Sequence, residues 1–163
     1  MIENNFLPTT DNFTVHIGEH GSKSVLNRSI VSFSLPAITN NEINTPYLNS
    51  PGFSISETTS KEPLQISFIC DEDMSAYEEV YNWMNDNNNP NKDSNNQNAA
   101  LLDFKDIIIN IKSSHNNLNK QLHFKEAFPT SLSSVDFNIQ AEGDPVYAIF
   151  QVSFRYDTFE FRK

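Results

Sequence analysis

Apolar side chains in this sequence return at every second position in one segment after another, and that period is the mark of strands buried on one face. Phe13, Val15 and Ile17 alternate with Asn12, Thr14 and His16. Val31, Phe33 and Leu35 alternate with Ser32 and Ser34. Leu64, Ile66, Phe68 and Cys70 share a face opposite Gln65 and Ser67. Ile107, Ile109 and Ile111 follow, then Leu122 and Phe124, then Val135, Phe137 and Ile139. In the last long strand Phe150, Val152, Phe154 and Tyr156 alternate with Gln151, Ser153 and Arg155. The turns between strands are polar, as in Ser113-Ser114-His115-Asn116-Asn117.

One segment changes period. Met74, Tyr77, Val80, Tyr81 and Met84 recur at spacings of three and four, one face of an amphipathic helix expected over about residues 72–86. Asp71 or Asp73 can cap its first free N–H groups, and Glu72 suits the positive end of the helix dipole. Trp83 falls off the central stripe and is expected to cover its edge. Such a helix plugs an open face or end of a sheet. The fold expected is mainly β: an antiparallel sandwich or partial barrel with one flanking helix, in a single domain over residues 1–163. The 13 Phe residues supply the core.

Two stretches follow neither period. Residues 85–98 are almost entirely Asn, Asp, Ser and Lys with one Pro, lack any apolar side chain to bury, and are expected to form a mobile surface loop. Residues 36–62 hold Pro36, Pro46 and Pro51 but also Ile38, Ile43, Tyr47, Leu48, Phe53 and Ile55. A loop with that many apolar side chains wants a surface to cover, on its own domain or on a neighbouring subunit.

Every common catalytic or ligand-binding pattern is missing. His16 and His20 would stand roughly 13 Å apart along a strand, too far for one ion, and His115 and His123 have no third ligand near them in sequence. Asp71-Glu72-Asp73 is explained by the helix start. Asp86-Asn87-Asn88-Asn89-Pro90 lacks the central Gly and closing Glu of a calcium loop. Gly18 and Gly21 are not followed by the Lys-Ser/Thr of a phosphate loop, and Gly52-Phe53-Ser54-Ile55-Ser56 lacks the second Gly of a nucleophile elbow. Cys70, the one cysteine, continues an inward face and reads as a small core residue. No catalytic residue, metal or cofactor is assigned, and an enzyme is not expected. The net charge of −10, with 11 Lys and Arg in all, argues against a nucleic-acid groove. The start Met1-Ile2-Glu3-Asn4-Asn5 does not read as a signal peptide, and no apolar run is long enough to span a bilayer, so folding in a cytoplasm is expected, with no membrane partner.

Two blocks of sequence resemble the tail-tube proteins of T-even-like contractile phages. The first is Phe33-Ser34-Leu35-Pro36-Ala37, the proline-bearing stretch, Pro63-Leu64-Gln65-Ile66-Ser67-Phe68-Ile69-Cys70-Asp71-Glu72, and the helix ending Val80-Tyr81-Asn82-Trp83-Met84. The second is Ala127-Phe128-Pro129-Thr130-Ser131-Leu132, Val135-Asp136-Phe137, and Ile149-Phe150-Gln151-Val152-Ser153-Phe154-Arg155-Tyr156-Asp157. They cover about half the chain. The Asn-rich stretch and the basic end Arg162-Lys163 have no counterpart in the family pattern.

The resemblance implies a curved β-sandwich or partial barrel whose copies close into homo-hexameric rings, stacked as a tube inside a contractile sheath. Residues 36–62 become a hairpin reaching between subunits, with Ile38, Ile43, Tyr47, Leu48, Phe53 and Ile55 as contact residues. Partners would be tail sheath, baseplate and neck proteins, in a virion tail assembled in the host cytoplasm. DNA would pass through the lumen without specific binding. The polar faces of the strands at Phe104 to Ile111 and Phe150 to Tyr156 are candidates to line it. Other readings stay open: a ring that initiates or terminates the tube at baseplate or neck, a secretion-system tube protein, or a stand-alone β-sandwich binding module.

Overall fold

In the computed structural model of the chain, the residues described are 12–18, 24–47, 50–88, 103–113, 115, 117–137 and 147–162. Most of the alternating segments become strands. The strands are β1 (Phe13–Ile17), β2 (Ile30–Ser34), β3 (Ile38–Tyr47), β4 (Ser50–Lys61), β5 (Leu64–Ile69), β6 (Lys105–Lys112), β7 (Leu118–Leu132), β8 (Ile149–Arg155) and β9 (Thr158–Arg162); among the described residues there is one α-helix, α1 (Ser75–Asn88), and a short 3-10 helix at Val25–Arg28. The alternating segment from Val135 to Phe137 does not form a strand: it runs as irregular chain after β7 with Phe137 71 % exposed, and Ile139 lies outside the described residues. In the segment around Phe33 a register shift between Ile30 and Ser32 leaves Phe33 partly buried while Val31 and Leu35 are exposed. All pairings are antiparallel. The main sheet runs β1-β6-β7-β8-β5-β2, with β9 also on β7, and β3 and β4 form a separate two-stranded ribbon. The sheet bends strongly without closing into a barrel: its end strands β1 and β2 are not paired with each other, yet the Phe13 and Phe33 rings meet edge-on at 4.9 Å.

The bend is made by β7. Its partner numbering runs without offset from Gln121↔Arg162 to Pro129↔Phe154, so β8 and β9 are one strand, bent at Tyr156-Asp157, lying along β7. On the other side β6 follows only the first part of β7. Between Lys105↔Ala127 and Ile107↔Phe124, the two residues Lys125 and Glu126 oppose the single residue Asp106. This is a β-bulge, with Glu126 in the left-handed region at φ 52°. The extra residue switches the buried face: Leu122 and Phe124 point inward before it, Ala127 and Pro129 after it. The partner strand switches in step, from Phe154 and Tyr156 to Phe159.

Inside the bend lies one apolar cluster. Val15 and Ile17, Ile107 and Ile109, Leu122 and Phe124, Leu64, Ile66 and Phe68, and Phe150, Val152 and Phe154 are all buried. Each such side chain contributes about 1.5–3 kcal/mol relative to remaining exposed. Helix α1 adds Ala76, Val80 and Trp83, and its aromatic rings complete the packing: Trp83 lies on Phe154 and Tyr77 stands edge-on to Phe150.

The helix face differs from the stripe read in the sequence. Val80 is buried, and Tyr77 and Met84 are partly buried against the core. Met74 precedes the helix, at φ 53°. Tyr81 is 57 % exposed and does not belong to the packing face, whereas Trp83 is 3 % exposed and sits at its centre. The inward row is Ala76, Val80 and Trp83, spaced four and three. Trp83 can be buried because its indole N–H donates to the Asp103 carbonyl at 2.7 Å. Asp71 serves the helix start: it accepts from the Ser75 hydroxyl. That bond comes first among the causes holding its carboxyl below the usual range. Helix α1 also runs through Asn88, four residues into the stretch expected as a loop. Asn87 holds this last turn by accepting from the Asp103 N–H at 2.8 Å. Residues 89–98 of that stretch lie outside the described residues.

Candidate assembly surfaces

The proline-bearing stretch folds as the β3–β4 hairpin. Its legs are joined at the base by the Glu62 N–H donating to the Ala37 carbonyl at 3.0 Å. None of its described side chains is buried: Asn40, Asn41 and Glu42 are exposed, and so are Thr59, Ser60 and Lys61. Ile38 and Ile43 are 53 % and 48 % exposed. Leu48 lies outside the described residues, as do the side chains of Tyr47, Phe53 and Ile55. The structure therefore brings Ile38 and Ile43 onto one projecting element and leaves both largely uncovered within the chain.

Other apolar side chains reach solvent along the strand edges. Val31 and Leu35 are exposed beside the outer edge of β2, and Phe161 near the end of β9. Among the described residues, β1 pairs only with β6 and β2 only with β5; the far edge of β1 is partly covered, its Ile17 N–H donating to Asn27 Oδ1 at 2.7 Å, and no further strand lies along either edge.

The outward face of β6 carries Asp106, Ile108 and Asn110, and that of β8 carries Gln151, Ser153 and Arg155, where Gln151 Nε2 donates to Gln65 Oε1 at 3.1 Å. Asp106 has a structural task that its sequence position does not announce. Its Oδ1 accepts from the Glu126 N–H at 3.1 Å, and its Oδ2 lies 2.9 Å from His123 Nε2. One carboxylate thus clamps both flanks of the bulge. Burial pushes its pKa up, but the Glu126 N–H and the His123 ring act against this and the net shift is downward. His123 is buried on the outer face of β7, with Nδ1 lacking a partner. Next to it Lys125 pairs with Glu160 at 2.7 Å, and this bond leads the causes that lower the Glu160 pKa.

No group of three or more His, Cys, Asp or Glu side chains that could hold a metal occurs among the described residues. Cys70 packs partly buried against the core, and burial raises its thiol pKa. No helix of the described residues is long and apolar enough to cross a membrane.

The fold of this chain is shared with cap, terminator and sheath-tube chains of contractile injection systems. The chain is similar to the anti-feeding prophage cap (AFP tube terminating cap), with 18 % identity, TM-score 0.70, and 99 % of this chain and 95 % of that chain covered. It is similar to a chain of the PVC sheath/tube terminator of an extracellular contractile injection system, with 17 % identity, TM-score 0.69 and coverage of 98 % and 99 %. Hcp1 from Flavobacterium johnsoniae aligns at 14 % identity, TM-score 0.53 and coverage of 91 % and 93 %. No curated protein matches in sequence. The chain belongs to the phage tail tube protein family, whose pattern it matches over residues 5–162. As a member of that family it is a structural protein.

Proposed function

We propose that this chain is a ring-forming subunit of the tube in a contractile phage tail or related particle. Six copies close each ring, rings stack, and the tube meets sheath, baseplate and neck proteins. The observation that carries the reading is the β3–β4 hairpin: twelve-residue and ten-residue strands projecting from the sheet, with Ile38 and Ile43 uncovered. Packing the hairpin on a neighbour buries those side chains. Joining sheets edge to edge in a ring satisfies the open edges of β1 and β2. Within this reading residues 36–62 are the inter-subunit element.

The tube would conduct DNA. A lumen wall without net positive charge does not grip phosphates; the faces assigned here balance Asp106 against Arg155 among Ile108, Asn110, Gln151 and Ser153, in a chain of net charge −10. The outward faces of β6 and β8 are the surfaces assigned to it. A lumen found strongly positive in an assembled tube would overturn this assignment.

A second reading has an observation of its own. The TM-scores to the two terminator chains, 0.70 and 0.69, exceed the 0.64 to the PVC sheath-tube complex chain. A ring that ends the tube is therefore the second reading, the same fold serving terminator and tube chains alike. Negative-stain electron microscopy across a concentration series separates the readings. Hollow tubes or stacked six-fold rings support the tube subunit, and rings that never stack support a terminator. Monomers at every concentration refute ring formation.

A further inference from the structure

The hairpin stands off the body. Between its base and the end of β8 lies an open notch of about 430 Å³, lined by Asn41, Thr59, Ser60, Lys61, Arg155 and Tyr156. One side chain spans it: the Lys61 Nζ donates to the Asp157 carbonyl at 3.0 Å. Asp157 is the corner residue of the bent β8–β9 strand, and its own N–H donates to the Lys125 carbonyl within the bulge. The residue whose carbonyl Lys61 grips is therefore itself anchored to β7 at the bulge.

Below this tie the hairpin has the makings of a hinge. Its strands share no ladder with the main sheet. Both legs connect through proline, at Pro36 and Pro63, and proline supplies no N–H with which to extend a ladder. The Ala37–Glu62 bond holds the legs together, so motion there carries the ribbon as a unit.

We propose that Lys61 is a latch that sets the hairpin's angle to the body, with the hinge at residues 35–37 and 62–63. Latched, the hairpin is held in one pose before it meets a neighbour, and docking loses less orientational freedom. Unlatched, it swings across the notch. The role in docking rests on the assembly reading given above; the latch itself is a property of one chain.

The test uses spin labels at Glu42→Cys on the hairpin and Gln151→Cys on β8, in a Cys70→Ser background, at dilution where the chain is monomeric. Pulsed electron resonance should give a narrow distance distribution with Lys61 present. Lys61→Met should broaden it and Lys61→Arg should keep it narrow. Lys61 is exposed, so circular dichroism should be unchanged in both variants. An identical distribution for Lys61→Met overturns the latch. Microscopy of the unlabelled variants then tests docking. Lys61→Met should raise the concentration for half-assembly roughly two- to tenfold, the worth of one such hydrogen bond. Unchanged assembly with a broadened distribution overturns the docking role alone. Absence of rings from the unsubstituted chain overturns the assembly reading and leaves the latch standing.

Discussion

The bent sheet and the β3–β4 hairpin are both antiparallel β-structure, but different forces hold them. In the sheet every strand from β5 to β8 turns buried side chains into a common cluster. In the hairpin no described side chain is buried. Backbone hydrogen bonds alone contribute little net stability in water, because they replace bonds to solvent, and an isolated two-stranded ribbon is marginal. The sheet is thus specified by its own chain, whereas in the assembly proposed above the hairpin would be finished by a neighbour.

The strongest test of that contrast is Phe124→Ala. Phe124 is fully buried, stacks on Phe159 at 4.7 Å and meets Tyr156 edge-on at 5.0 Å. Its removal should cost about 3–5 kcal/mol, read as a lowered urea midpoint. Acid should act on the same half of the molecule. The Asp106 carboxyl has its pKa lowered in the folded chain, so its contribution is fully present above the unfolded value and is lost as pH falls through the folded one. Urea midpoints should therefore drop as pH falls below about 4, and Asp106→Asn should show a shallower drop. An equal drop in both would remove Asp106 from the account. Trp83→Phe keeps most of the buried ring but removes the indole donor to the Asp103 carbonyl, leaving only the longer 3.5 Å bond from Asn87 Nδ2, and should cost about 1 kcal/mol beyond the lost ring area. Smaller still is Glu126→Gly. Relief of a left-handed position, about 1–2 kcal/mol, is partly offset by the added chain entropy of glycine, about 0.5–1 kcal/mol. A modest rise in midpoint is expected. Smallest of all is Ile38→Ser with Ile43→Ser, which should move the monomer midpoint by less than about 0.5 kcal/mol while suppressing rings and tubes under the microscope. A large loss of monomer stability there would erase the contrast.

Strands such as β1, β5, β6 and β8 were legible because each buries one face, and burial writes itself into the sequence at period two; β9, with Phe161 exposed, was not, and the alternation at Val135 and Phe137 proved to be irregular chain. Leu64, Ile66 and Phe68 or Phe150, Val152 and Phe154 leave little choice of register. The helix was legible in existence but not in rotation. A stripe through Tyr77, Tyr81 and Met84 is richer in large side chains than the true one through Ala76, Val80 and Trp83. Two facts outside the helix decide the matter: Ala76 fits where the helix lies close to its neighbours, and the Trp83 indole finds Asp103 some twenty residues on. The Asp106 clamp left no local signal. Its two partners, Glu126 and His123, come together only once β6 and β7 pair, and an Asp on a strand's outward face reads as an ordinary solvated group. The hairpin's strands were hidden for the opposite reason, since a ribbon that buries nothing of its own has no period to display.

The partner numbering of β7 and the β8–β9 strand, unbroken from Gln121↔Arg162 to Pro129↔Phe154 and shifted once between Pro129 and Ser131, also limits how such a chain can change in length. Adding one residue within the unbroken run would turn the buried side chains on one side of it toward water unless a further bulge took up the extra residue. Insertions and deletions are therefore cheapest outside this run, and relatives of different size should differ mainly in their connections while keeping the measure of these two strands.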